Sequence, residues 1–313
     1  MKESSEASSR GGICLKDSEQ CGVGSERKDF HCPLFAAHSP LPFLNAFTVD
    51  VEDWFCVANM ESVFPPSSWD EQELRIERPV AHLLDLLKKH GVRATFFILG
   101  WVAERCPELV RKICDGGHEI GLHGYEHRRV TSMNRKTFEA DLSRAFDSVL
   151  AAGVPRGAIA GYRAPSFSIV EKTEWALEVI ASFGLKYDSS VVPFSGHPDY
   201  GWKNAPKVIH RLPQGIVEVP MTPGFGGGYF RLLPYAVTKW IAKQANRRGR
   251  PAIFYIHPWE LDPGQPRPAK ASLSPVKRFR HYVNLNKTVP RLEKLLLEFR
   301  FGTIGEVLIE NGF

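Results

Sequence analysis

AFTVDVE, residues 46–52, reads as a short strand that ends on carboxylates. Strand alternation puts Asp50 and Glu52 on one face and Val49 and Val51 on the other. Four further apolar runs end in the same way: EIGLHGYEH (119–127), AIAGYRAPSF (158–167), LKYDS (185–189) and AIFYIHPW (252–259). Each finishes on a group that can bind a metal or move a proton. Polar groups repeated at one end of successive strands mark a barrel-type active site, because parallel strands point their C-terminal ends at one mouth. An open sheet would concentrate its ligand groups at one switch point instead.

Outward from these runs, strand-like segments near 46–51, 93–99, 118–122, 158–162, 184–188, 216–220, 252–257 and 300–304 alternate with amphipathic stretches at 78–90, 102–114, 135–151, 172–183, 234–247 and 289–298. The alternation predicts an α/β fold, a distorted (β/α) barrel of about seven to eight parallel strands with right-handed crossovers. The long irregular stretches at 57–72, 192–207 and 257–274 carry Trp69, Tyr200, Trp202 and Trp259 and are expected to shape a substrate groove. Gly226, Gly227 and Gly228 in PGFGGGYFR lack the GK[ST] ending of a phosphate loop, so a flexible or closely approached loop is expected there, with Tyr229 beside the groove. Glu218 in VEVP suits substrate contact or a structural role. Residues 1–43 are rich in Ser, Gly, Glu and Lys without periodicity and are expected to be a disordered, dispensable tail. The domain proper then runs over 44–313.

Composition bounds the function classes. The chain has 313 residues, 43% apolar and 24% charged, enough for a full core. No run reaches the roughly 18 apolar residues of a membrane span, and MKESSEASSRGG has no apolar core of a secretory signal, so a cytoplasmic location is expected. Cys14, Cys21, Cys32, Cys56, Cys106 and Cys114 match no zinc or disulfide pattern and read as reduced thiols. A net charge of +5, with no zinc-finger, RNP-type or helix-turn-helix signature, argues against nucleic acid as a partner. The basic segment 267–300, including Lys270, Lys277, Arg278 and Arg280, reads first as a solvated helix face. It also suits weak association with an anionic glycan or membrane surface.

His123 and His127 are four apart, so on a helical turn both rings reach one ion, although HxxxH also arises by chance. A carboxylate would complete a three-ligand site with coordination left open for water, and Asp50, Glu52 and Asp53 are all candidates. With Asp50 and Glu52 on one face, one can bind metal while the other takes a proton. His257 should sit at a strand end near the mouth, where a satisfied core histidine is the plainer alternative. Asp188 can hydrogen-bond that ring and set its tautomer. Arg163 can orient Asp50 and lower its pKa.

TVDVED, HGYEH, YRAPSF, KYDSS and FYIHPW resemble, in order and spacing, the five signature motifs of the polysaccharide deacetylases, the NodB-homology carbohydrate esterases. GHEIGLHGYEH and IHPWELDPGQPRP are similar to the subgroup associated with exosortase and exopolysaccharide clusters. The resemblance covers about residues 44–313. It implies a metal-dependent N-deacetylase of glycans, with zinc the expected ion and an N-acetylated glycan the partner. On this pattern Asp50 is the general base, Glu52, His123 and His127 hold the metal, Arg163 tethers Asp50, and the Ser166 backbone N–H helps hold the oxyanion. Asp188 tunes His257, the general acid, and Trp259, Phe167 and Tyr229 are expected against substrate. The sequence departs from the family at three places. Val51 separates the two acids, with alternation favouring Glu52 over Asp53 as ligand; Ser166 stands where tyrosine is common; and Gly124 stands where a hydroxyl residue is usual. A hydrolase of small amides or cyclic imides and a non-catalytic glycan-binding protein are the competing readings.

Overall fold

Leu44–Val51 (β1) is buried along almost its whole length, as expected of a strand covered on both faces of a parallel sheet. In the computed structural model, which describes residues 43–195, 200–269 and 272–313, β1 has three strand partners. It pairs in parallel with Thr95–Ile98 (β2), Ile253–Ile256 (β8) and Arg300–Gly302 (β9). From β2 the sheet continues through Glu119–Leu122 (β3), Ile159–Tyr162 (β4), Tyr187–Asp188 (β5) and Val217–Glu218 (β7), all parallel. His210–Arg211 (β6) is added antiparallel to β7. The order β6-β7-β5-β4-β3-β2-β1-β8 does not close by continuous pairing, and a single parallel bridge, Gly226 to Tyr255, spans the seam. The result is a curled, mostly parallel half-barrel, and each of the eight expected strands has its counterpart. Among the described strands β6, two residues added antiparallel at the edge, was not anticipated.

The helices follow the amphipathic stretches with one break and three additions. Glu77–Lys89 (α1) ends with Lys88 and Lys89 in its last turn, where cations favour the helix dipole. The stretch read as one helix over 102–114 is two, Gly100–Arg105 (α2) and Pro107–Asp115 (α3), because Pro107 cannot continue a helix but is favoured in the first turn of the next. Arg135–Ala151 (α4) opens with an Asn134 cap on the Thr137 N–H. Trp175–Ser182 (α5), Tyr235–Arg247 (α7) and Thr288–Glu298 (α9) are the remaining expected helices. Gly227–Leu232 (α6), Pro275–Tyr282 (α8) and Ile304–Glu310 (α10) are short additions. Around the glycine run the chain is closely approached, not merely flexible: a Cβ on Gly226 would lie 2.2 Å from the Tyr255 carbonyl.

Phe55, Trp69 and Trp101 form an edge-to-face cluster inside the core, so Trp69 is a packing residue and not a groove residue. Trp202 likewise packs half-buried against the core. Cys56 and Cys106 are buried free thiols, and Cys114 is half-buried and free. No helix among the described residues is long and apolar enough to cross a membrane. The expected tail over 1–43 lies, except for Phe43, outside the described residues, as do Cys14, Cys21, Cys32 and Lys270.

Candidate active site

The C-terminal ends of β1, β3, β4 and β8 open on one cleft of about 440 Å³. Asp50, Glu52, His123, His127, Ser166, His257, Phe167, Tyr229 and Trp259 all line it, together with Tyr200, Tyr255 and Arg280. The parallel register explains the convergence, since side chains just past the ends of neighbouring strands face the same mouth.

Glu52 lies just past β1, His123 just past β3, and His127 in the turn that follows. The Glu52 Oε1 atom is 3.0 Å from His123 Nε2 and 3.1 Å from His127 Nε2. The two histidines do not share a helix as the i, i+4 reading assumed. The chain turns irregularly between them, with Gly124 at φ +73° and His127 itself at φ 54°. Gly124 is explained by that turn: its conformation is left-handed, and a Cβ there would meet the Asp141 carboxylate at 3.0 Å. Asp53 is turned to structural use. Its carboxylate accepts from the backbone N–H groups of Trp54, Arg75 and Ile76, at 2.7, 2.7 and 3.0 Å, and so secures the entry to α1. Burial raises its pKa to about 6 against those hydrogen bonds.

Glu52, His123 and His127 offer ligand atoms that all lie within 4.8 Å of one another. His123 Nδ1 donates to the Arg163 carbonyl at 2.8 Å, which leaves the Nε2 lone pair facing Glu52. A ring lone pair and a buried carboxylate aimed at one point need a cation or added protons between them. One oxygen and two nitrogen donors with room for further ligands suit zinc or its neighbours. Burial alone would raise the Glu52 carboxyl, but the charges of His127 and His257, with the histidine contacts at Oε1, hold it well below the usual range.

Arg163 is fully buried and fixes Asp50. Its Nη1 donates to Asp50 Oδ1 at 2.8 Å and to Thr48 Oγ1 at 2.7 Å, while Nε donates to the Ser189 carbonyl at 3.1 Å. The guanidinium also lies 4.2 Å above the Phe97 ring. Asp50 Oδ2 stands 4.0 Å from His257 Nε2, across the cleft from it. Ser166 and Phe167 hold the positive φ values 53° and 52° beside the cleft. Left-handed backbone at non-glycine residues is costly and tends to occur where a site demands it.

Asp188 does not reach His257 as expected. Its carboxylate is hydrogen-bonded to the Ser190 hydroxyl at 2.7 Å and the Ser190 N–H at 2.9 Å, because β5 ends one strand beyond β4 and on the far side of Arg163 from β8. It lies in register with Glu218 on β7. Burial raises Asp188 to about 6, and burial with the Asp188 charge beside it raises Glu218 well above the carboxylate range; Glu218 is buried and accepts from the Val191 N–H at 3.2 Å, a structural placement. The group on His257 Nδ1 is instead Glu260 Oε1, at 2.7 Å. Glu260 Oε2 accepts from Arg231 Nε at 2.5 Å. Burial lowers the His257 pKa, but Glu52, Glu260 and Asp50 outweigh it and push the ring up to about 9. Burial raises Glu260, yet Arg231 and His257 hold it at about 2. Glu260 and Arg231 were missed from sequence. The only signal was an acid three residues after His257, and Arg231 offered none.

Residues 69–187 match the family described as polysaccharide deacetylase, and residues 189–309 match a domain of unknown function, DUF3473. The chain is 35% identical over 102 residues to a peptidoglycan-N-acetylglucosamine deacetylase of Bacillus cereus, covering 31% of this chain and 34% of that protein. It is 33% identical over 121 residues to a peptidoglycan deacetylase of Helicobacter pylori, covering 39% and 40%. These alignments thus span well under half the length of either relative. In fold it resembles a Mycobacterium smegmatis protein described as a candidate polysaccharide deacetylase, with a TM-score of 0.56 and 20% identity over 88% of this chain and 93% of that one. The cleft therefore draws on both matched regions and on the strand before them, and the polysaccharide deacetylase match itself rests on residues 69–187.

Proposed function

We propose that the chain is a metal-dependent hydrolase that removes N-acetyl groups from amino sugars of a polysaccharide or its precursor. The observation that carries this reading is the open Glu52–His123–His127 donor set with Asp50 and His257 at its edge in one cleft. A divalent ion held there, zinc by its donor set, would polarise an acetamide carbonyl and lower the pKa of water. Arg163 occupies Asp50 Oδ1, so Oδ2 is left to take a proton from the attacking water. His257 would return a proton through Nε2 to the departing amine. In this reading the Ser166 backbone N–H, at the cleft wall, supports the oxyanion, and Phe167, Tyr229 and Trp259 supply walls for a sugar.

A role in exopolysaccharide assembly is part of the proposal and is supported by the GHEIGLHGYEH and IHPWELDPGQPRP resemblance. So is weak association with an anionic glycan or membrane surface, supported by α8, which has Lys277 and Arg280 beside exposed Val276 and Phe279 and no acid. Acetate release should be measured with the zinc-loaded chain against N-acetylglucosamine oligomers, a peptidoglycan fragment and small ureides. Turnover of a glycan is expected. Turnover of ureides alone would replace the proposal with the small-amide reading, and release from none would favour a glycan-binding protein.

A further inference from the structure

We propose that Glu260, clamped by Arg231, is the positioning residue that orients His257 for proton transfer, in the place that the family pattern gives to Asp188. Its catalytic consequence rests on the deacetylase reading, whereas the contact itself rests on geometry. His257 caps the 3-10 turn Pro258–Leu261, whose first residue is proline. That turn brings Glu260 back under the ring. Glu260 Oε1 accepts from the His257 backbone N–H at 3.1 Å as well as from ring Nδ1 at 2.7 Å. A carboxylate only accepts, so Nδ1 carries the proton and Nε2 is directed at the reaction centre, 3.8 Å from Glu52 Oε1.

The carboxylate is fully buried and needs a fixed counter-charge. Arg231 provides it from α6 and is itself immobilised. Its Nη1 donates to the His281 and Val283 carbonyls at 2.9 Å each, and its Nη2 donates to the Arg280 carbonyl at 3.1 Å. Trp259 closes a further side. It stacks on His281 with ring centroids 4.3 Å apart and lies near-parallel to the His257 ring at 5.5 Å. The chain thus gives His257 one orientation and one tautomer. Asp188, by contrast, holds Ser190, whose hydroxyl accepts from the Ala164 N–H at 2.7 Å and so supports the loop carrying Arg163 and Ser166.

The test compares Glu260→Gln, Glu260→Asp and Asp188→Asn in the full chain, by imidazole ¹⁵N NMR of the metal-free protein and by kcat and KM of the zinc-loaded protein. Glu260→Gln is expected to move the His257 Nδ1 resonance and lower kcat by about 10²-fold, within the usual range for acid–base catalysis, with KM and metal content unchanged. Glu260→Asp keeps the charge for Arg231 but withdraws it from the ring, so it should fold even if the Gln variant does not, move the same resonance and lose part of kcat. Asp188→Asn should leave the His257 resonance in place. An unmoved ring with full kcat in Glu260→Asp, or a ring moved by Asp188→Asn and not by the Glu260 variants, would overturn the proposal. If the parent released no acetate from any glycan, the function would fail while the ring resonances still decided the contact.

Discussion

The two sides of the cleft are built by different means. On the side of β1 to β4, the candidate metal donors and Asp50 stand at or just past the ends of β1 and β3, strands of eight and four residues in a parallel ladder whose one register shift lies between β3 and β4. On the side of residues 189–309, β8 brings His257 to the cleft, β6 and β7 are two residues each, and the other parts that serve the cleft are a 3-10 turn, α6 and the end of α8. Both sides use one buried arginine. Arg163 joins Asp50 to the sheet, and Arg231 joins Glu260 to three carbonyls at the C-terminal end of α8. Where backbone pairing is dense, side chains inherit their geometry from it. Where it is sparse, a charged side-chain network must supply the same rigidity, and more rests on each member.

The largest effect is expected on the strand-built side. His123→Ala or His127→Ala should abolish bound zinc and turnover together, read by metal analysis and acetate release; stoichiometric metal in His123→Ala would remove it from the donor set. Asp50→Asn should cut turnover by about 10² to 10⁴ while metal content stays unchanged, because Asn keeps the shape but cannot take the proton. Loss of metal in that variant would make Asp50 a ligand instead.

On the network-built side, Arg231→Met should leave the buried Glu260 with His257 as its remaining counter-charge. A loss of about 3–5 kcal/mol in a denaturant titration is expected, and a loss well below that would show that the loops are held by other contacts. A smaller, pH-dependent effect should come from Glu218→Gln. Asp188 and Glu218 both have raised folded-state pKa values, so the parent holds their stability fully below the unfolded carboxylate range and loses it as pH rises through about 6. The Gln variant should match the parent near pH 4 and exceed it in thermal midpoint by pH 8. Parallel pH curves for the two proteins would show that the acids do not share a proton in this way.

Much of this was legible in the chain. Period-2 runs and amphipathic stretches determined the eight parallel strands and most helices, because burial on a strand or helix face imposes its spacing on neighbouring residues. The same runs pointed to Asp50, Glu52, His123, His127 and His257, since a strand end carries its polar group to the mouth wherever the strand lies. The break at Pro107 was overlooked although proline states it locally. Which acid serves which partner was decided only in three dimensions. Glu52 and Asp53 are adjacent, and it is the position of the Arg75 and Ile76 N–H groups that takes Asp53 away from the Glu52–His123–His127 cluster. Asp188 and Glu260 were both acids near a motif, and sheet order put the first beyond Arg163 while a 3-10 turn folded the second under His257. Arg231 meets Glu260 across 29 residues. Local spacing carries no trace of such a pairing, because the contact exists only once the sheet, α6 and the loops have packed.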